Sequence, residues 1–171
     1  MVGSNMRVGL GHDIHQLAPG GTLHLGGVQI DCDRRTVGHS DADVLLHAVT
    51  DSLLGAAGLG DIGQWFPDTD DQWANADSAH FVVQAVLALR ERGWNVANLD
   101  CTVFAQQPNL SADKPRIQAR LSQLLGIETN VINVKAKSGE NVGPIGREEA
   151  IAANAIVLLV REESNLEMTK L

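Results

Sequence analysis

Residues 150–160 are apolar on both alternating faces and include Ile156-Val157-Leu158-Leu159-Val160. The stretch is far shorter than the ~20 apolar residues of a membrane-spanning helix, and it reads as a strand. A strand without a polar side needs cover on both faces. Helices of the same chain can cover one face, and the expected cover for the other is a further subunit.

The rest of the chain supplies the partners of this strand. An apolar run over residues 6–11 fits a first strand, and residues 22–30 alternate as a second, interrupted by a bulge or turn at Gly26-Gly27. Over residues 40–58 the period changes, and Val44, Leu45, Ala48, Val49, Ser52 and Leu53 form one helical stripe. Ser40 with Asp43 reads as a capping box that starts this helix near Ser40. Residues 59–76, rich in Gly, Asp and Trp, read as a long loop, and a helix over 77–92 closes at Gly93. Leu99, Cys101, Val103 and Ala105 alternate as a third strand. A third helix is expected near 111–125 with Gly126 as its stop, and Ile132, Val134 and Ala136 mark a fourth strand. Five strands with three helices predict an α/β fold, an α+β sandwich whose single sheet carries the helices on one face. In a chain of 171 residues without internal repeats, residues 6–162 are expected to form one domain between an extension, 1–5, and a tail, 163–171.

The formal net charge of −8 argues against a nucleic-acid binder, which needs a basic face to displace counterions. No Glu precedes Glu91 and no Lys precedes Lys114, while ten Asp lie between Asp31 and Asp77. Asp caps helices, forms turns and ligates metals, so this third of the chain reads either as solvated turns or as loops organised around a cation or polar ligand. No signal peptide or membrane span is expected, and the protein reads as cytoplasmic. Cys32 and Cys101 have no CxxC spacing and are too few for a disulfide scaffold.

In an extended Gly11-His12-Asp13-Ile14-His15 segment, Asp13 and His15 point one way and His12 the other. On the first helix, Ser40, Asp43, His47, Thr50 and Asp51 fall on one side, opposite Leu45, Ala48 and Val49. One carboxylate and two imidazoles suit zinc, and three protein ligands leave open the position that a catalytic zinc keeps for substrate or water. On spacing alone, His47 also fits a solvated helix histidine and Asp-x-His a chance pair. Asp51, one turn beyond His47, is expected to orient the His47 imidazole.

The longer blocks are more specific. Gly11-His12-Asp13-Ile14-His15, His39-Ser40-Asp41-Ala42-Asp43-Val44-Leu45-Leu46-His47-Ala48, Gly60-Asp61-Ile62-Gly63 and Phe66-Pro67-Asp68-Thr69-Asp70 come first. Ala105-Gln106-Gln107-Pro108, Val134-Lys135-Ala136-Lys137 and Gly146-Arg147 follow. In this order they resemble the signature blocks of the 2-C-methyl-D-erythritol 2,4-cyclodiphosphate synthase family. The resemblance implies a homotrimer whose sheets line the interior, burying the second sheet face, with active sites between neighbouring subunits. It also implies a metal-dependent, CMP-releasing phosphorus-oxygen lyase of the non-mevalonate route to isoprenoids, acting on a nucleotide-linked small molecule.

Carried over residue by residue, the resemblance implies zinc on Asp13, His15 and His47, and a second cation, Mg2+ or Mn2+, on Glu140. It implies catalytic contacts from His39 and Ser138. Substrate contacts are implied for Ser40, for Asp61, Ile62 and Gly63, and for Phe66, Pro67, Asp68, Thr69 and Asp70. The same holds for Ala105, Gln106, Gln107, Pro108, Lys137 and Arg147. The chain departs from the family pattern at Asn109, where a basic residue is common, at His12, where an aromatic or apolar residue is usual, and at Pro144, often an aromatic near the threefold axis. The alternative activity is a zinc-dependent phosphohydrolase, and the non-enzymatic alternative is a metal-stabilised binding protein.

Overall fold

The structure, a computed structural model, describes residues 5–161. Along the chain lie β1 (Met6–Pro19), β2 (Leu23–Leu25), β3 (Val28–Ile30), β4 (Arg34–Val37), α1 (Val44–Ala57), α2 (Ile62–Trp65) and α3 (Ala79–Glu91). They are followed by β5 (Trp94–Phe104), α4 (Lys114–Leu125), β6 (Ile132–Lys137), α5 (Gly143–Gly146) and β7 (Ala150–Arg161). The main sheet has five strands in the order β4-β1-β7-β5-β6, and β2-β3 forms a separate ribbon. Only β5 and β6 pair in parallel in the main sheet.

Alternation along the strands decides which face carries the helices. Gly9, Gly11 and Leu17 of β1, Leu99, Cys101 and Val103 of β5, and Ile151, Ala153, Ala155, Val157 and Leu159 of β7 are buried. The β5 and β7 residues and Leu17 share one cluster with Leu45, Val49 and Leu53 of α1, Val82 and Leu89 of α3, and Ile117 and Leu121 of α4. The expected sheet with three long helices on one face is thus present. The opposite face is open. Val8 is 68% and Leu10 66% exposed, and Met6, Ile14 and Ile156 are exposed beside them. No second cover for β7 exists among the described residues. His12 lies on this open face, where its Nδ1 is 2.6 Å from Asn154 Oδ1 across the β1-β7 pair.

Three expectations need correction. The strand expected over residues 22–30 is the β2-β3 ribbon, folded back at Gly26 and Gly27 with φ of 63° and 73°. The fifth strand of the main sheet is β4, which pairs with the end of β1 and is too short to leave a periodic signature. The first helix starts at Val44 rather than near Ser40. Asp43 is its N-cap, and Ala42 at φ 55° breaks any continuation backwards.

Asp43 is fully buried, and four amides point at it. Leu45 and Leu46 donate to Oδ1 at 3.1 and 3.0 Å, Gly26 donates to Oδ1 at 2.9 Å, and Gly27 donates to Oδ2 at 2.7 Å. The polar side expected for α1 is therefore divided. Ser40 precedes the helix and Asp43 holds the hairpin, while Thr50 is buried and donates to the Leu46 carbonyl at 2.8 Å. The tail lies outside the described residues, and so does the extension except for Asn5.

Candidate active site

β1 crosses beneath α1, and this crossing brings the Asp-x-His pair to the helical histidine. Asp13 and His15 take the helix-facing side of β1, two and four residues after Gly11. His47 enters from the first turn of α1, its amide donating to the Asp43 carbonyl at 3.0 Å. One carboxylate oxygen, Asp13 Oδ2, lies 3.0 Å from both His15 Nδ1 and His47 Nδ1. Ligand atoms of the three residues lie within 4.8 Å of one another, and the side chains are largely but not fully buried.

His15 Nδ1 is buried and has no hydrogen-bond partner, because its approach to Asp13 is close but misaligned. Burial pushes the Asp13 carboxyl up, but the two adjoining imidazoles pull it down further, and it ends well below the usual carboxylate range. An ionised oxygen and two imidazole nitrogens converging on one point, one of them orphaned, form a donor set that fits a divalent cation.

The far side of His47 is also structured. Its Nε2 lies 2.9 Å from Ser78 Oγ and 3.1 Å from Ser40 Oγ. Asp51 makes no hydrogen bond to the ring: its Oδ1 accepts from the Ile62 amide at 2.8 Å and anchors the start of α2. That corrects the expected role of Asp51, since both His47 nitrogens are taken by other groups.

His39 and the Asp61 to Asp70 segment form a wall beside this cluster. Asp61 caps α2 by accepting from the Gln64 amide at 2.9 Å, which puts Ile62 and Gly63 in the helix. Phe66 stacks on Phe81 of α3 with ring centroids 4.4 Å apart and meets Trp73 edge-on at 5.1 Å. Phe81 in turn lies 6.2 Å from the His47 ring. The Asp70 carbonyl is 3.2 Å from His39 Nε2, and its carboxylate accepts from the Gln72 amide. Pro67 is half-buried, whereas Asp68 and Thr69 are exposed.

A second feature lies at the ends of β5 and β6. A cleft of about 270 Å³ is lined by Ala105, Gln106, Gln107, Pro108, Asn109, Leu110, Ser111, Lys114, Ala136, Lys137 and Ser138. The Ala105 amide donates to the Lys137 carbonyl at 3.0 Å, and Gln106 Oε1 accepts from the Gly139 amide at 3.2 Å, tying the two walls together. Ser138 Oγ donates to Glu140 Oε1 at 2.5 Å, and Glu140 sits in a left-handed turn with φ 49°.

Arg147 does not line this cleft. Its guanidinium donates twice to Glu149 at 2.9 Å. The metal-type cluster and the cleft share no residue, but register aligns them: Ile14 pairs with Ala152, which pairs with Phe104. Both thus lie at the same end of the sheet, on strands ~10 Å apart with β7 between them.

Sequence reasoning missed Ser78 and the stacked Phe81. Ser78 opens the helix expected over 77–92, and only its spatial neighbours reveal its role.

The YgbB family model matches residues 6–160. A 2-C-methyl-D-erythritol 2,4-cyclodiphosphate synthase of Neisseria gonorrhoeae is 50% identical over 158 residues, covering 92% of this chain and 99% of that protein. Among solved structures, the bifunctional IspDF from Campylobacter jejuni is 41% identical with a TM-score of 0.89, over 92% of this chain and 43% of that one. The CDP complex of IspF from Plasmodium falciparum is 36% identical with a TM-score of 0.83, over 94% of this chain and all of that one. The match runs through both the Asp13-His15-His47 cluster and the cleft, and the chain belongs to the YgbB family of 2-C-methyl-D-erythritol 2,4-cyclodiphosphate synthases.

Proposed function

We propose that the chain performs the cyclisation for which its relatives are named. The 2-phosphate of 4-diphosphocytidyl-2-C-methyl-D-erythritol 2-phosphate attacks the β-phosphorus, the bond from that phosphorus to the bridging oxygen of CMP breaks, and a cyclic diphosphate closes as CMP leaves. The observation that carries this reading is the convergence of Asp13, His15 and His47, with an unpartnered His15 nitrogen, at the same end of the sheet as a cleft whose charged lining residues are Lys114 and Lys137.

The nucleophile is an ionised phosphate oxygen and the leaving group is CMP, so the protein need not remove a proton. Its work is to fold a flexible substrate into line and to offset charge. Asp13, His15 and His47 would hold zinc, which when bound supplies Lewis-acid neutralisation of phosphate charge. Glu140 would hold the harder Mg2+ or Mn2+. Ser40 and His39 border the phosphate region, His39 fixed by the Asp70 carbonyl, with Ser138 facing it from the other half. Asp61 and the aromatic-anchored residues 66–70 wall the methylerythritol portion, and the exposed Asp68 and Thr69 offer acceptors for its hydroxyls.

Ala105 to Pro108 receive the cytidine, and Lys137 places a cation beside its diphosphate. The CDP complex of a solved relative supports a cytidine-diphosphate cleft in this fold. The open face of Val8, Leu10, Ile14 and Ile156 supports a homotrimer, with each active site drawing its zinc half and its cytidine half from neighbouring chains. The deciding experiment is product analysis with the diphosphocytidyl substrate, Zn2+ and Mg2+. A cyclic diphosphate with one CMP per turnover is expected. Phosphate release from simple phosphoesters would indicate the hydrolase, and unchanged substrate with zinc-loaded protein would indicate a binding protein.

A further inference from the structure

Two residues outside the proposed ligand set decide which nitrogen of His47 faces Asp13. We infer that Ser78 and Asp41 are positioning residues that hold His47 as its Nε2–H tautomer, leaving the lone pair on Nδ1 directed at the metal position; this rests on the metal-site reading above.

Ser78 is fully buried and makes no capping bond to its own helix. Its Oγ lies 2.5 Å from Asp41 Oδ1 and 2.9 Å from His47 Nε2. A carboxylate only accepts, so the one hydroxyl hydrogen of Ser78 goes to Asp41, and toward His47 the oxygen offers only lone pairs. When a cation takes Nδ1, the one ring hydrogen sits on Nε2, and Ser78 Oγ, with Ser40 Oγ 3.1 Å away, accepts it. Asp41 is held in place for this task, accepting from the Ser78 amide on Oδ2 and from the Asp43 amide on Oδ1, both at 3.2 Å. Ser40 Oγ accepts from the Ala42 amide at 3.2 Å and lies 3.3 Å from Ser78 Oγ. It can pass its hydrogen to the second Ser78 lone pair, which keeps the polarity of the chain. The Nδ1 lone pair then shares the cation with Asp13 Oδ2, 3.0 Å away, whereas without a cation Asp13 and Ser78 compete for the one hydrogen of a neutral ring.

The test uses the full chain. Long-range proton-nitrogen spectra of the zinc-loaded protein should show His47 with its hydrogen on Nε2 and its Nδ1 on the metal in the wild type, and a faster-exchanging Nε2–H in Ser78→Ala. Chelator competition should show zinc affinity falling ~10–100-fold in Ser78→Ala. An Nδ1–H wild-type ring, or an unchanged zinc affinity in Ser78→Ala, overturns the inference. Equal zinc binding by wild type and His47→Ala would instead overturn the metal-site reading, and with it any purpose for the tautomer.

Discussion

A Cβ built on Gly11 would stand 1.9 Å from the carbonyl oxygen of Ala48. The same contact recurs one pleat earlier, where a Cβ on Gly9 would stand 1.9 Å from the Ser52 carbonyl. β1 and α1 therefore touch backbone to backbone, and the height of His47 over Asp13 and His15 depends on that contact. Gly11→Ala should cost ~2–4 kcal/mol and weaken zinc binding, as α1 must lift or β1 must bend. Gly55→Ala, on the same helix with nothing within 4 Å of the new methyl, should instead stabilise by ~0.5–1 kcal/mol. Denaturant unfolding of both variants checks the pair, and equal effects would show that the crossing is not tight.

The buried carboxylate of Asp43 offers a second test. Burial pushes its carboxyl up while the Gly27, Leu46 and Gly26 amides pull it down, and the balance lies above the usual range. An Asn at this position keeps the shape but turns an amino group on one of the converging N–H donors. Asp43→Asn should therefore cost ~1–3 kcal/mol. A variant as stable as the wild type would show that the four amides do not need a double acceptor.

Glu140 separates the two cations of the proposed reaction. Glu140→Gln should retain zinc, yet need far more Mg2+ to reach half-maximal turnover, because an uncharged amide is a poor ligand for a hard cation. Steady-state rates across a Mg2+ series measure this, and a curve that overlies the wild type would remove Glu140 from the site.

The shared site makes a quantitative prediction. His47→Ala disables the zinc half, and Pro108→Trp fills the cleft. Each variant should be inactive alone. In an equal mixture refolded together, a site built from two neighbours receives each intact half with a probability of one half, so about a quarter of sites should recover. Mixed trimers verified by mass spectrometry yet without activity would place both halves in one chain.

The period-2 pattern of the Gly11 to His15 segment puts Asp13 and His15 on one side, and the stripe of Leu45, Ala48, Val49 and Leu53 puts His47 off the core of its helix, but that the three meet comes from the resemblance of the longer blocks. Both patterns are local regularities, and each repeats over several residues. What the patterning misreads depends on long-range partners. Asp43 looks like the second half of a capping box until Gly26 and Gly27 are known to point at it. Asp51, one turn from His47, is drawn away by the amide of Ile62. Ser78 meets Asp41 across 37 residues of chain, a separation that leaves no periodic trace. β4 pairs only with the tail of β1 and has too few residues to alternate.

Asp43 accepts from two amides of its own helix and two of a hairpin 16 and 17 residues earlier. The helix end and the ribbon turn therefore open together, since releasing either exposes a carboxylate that both had screened. In hydrogen exchange, the amides of Gly26, Gly27, Leu45 and Leu46 belong to one cooperative unit and should share one opening free energy, although the ribbon alone has only two short strands to protect it.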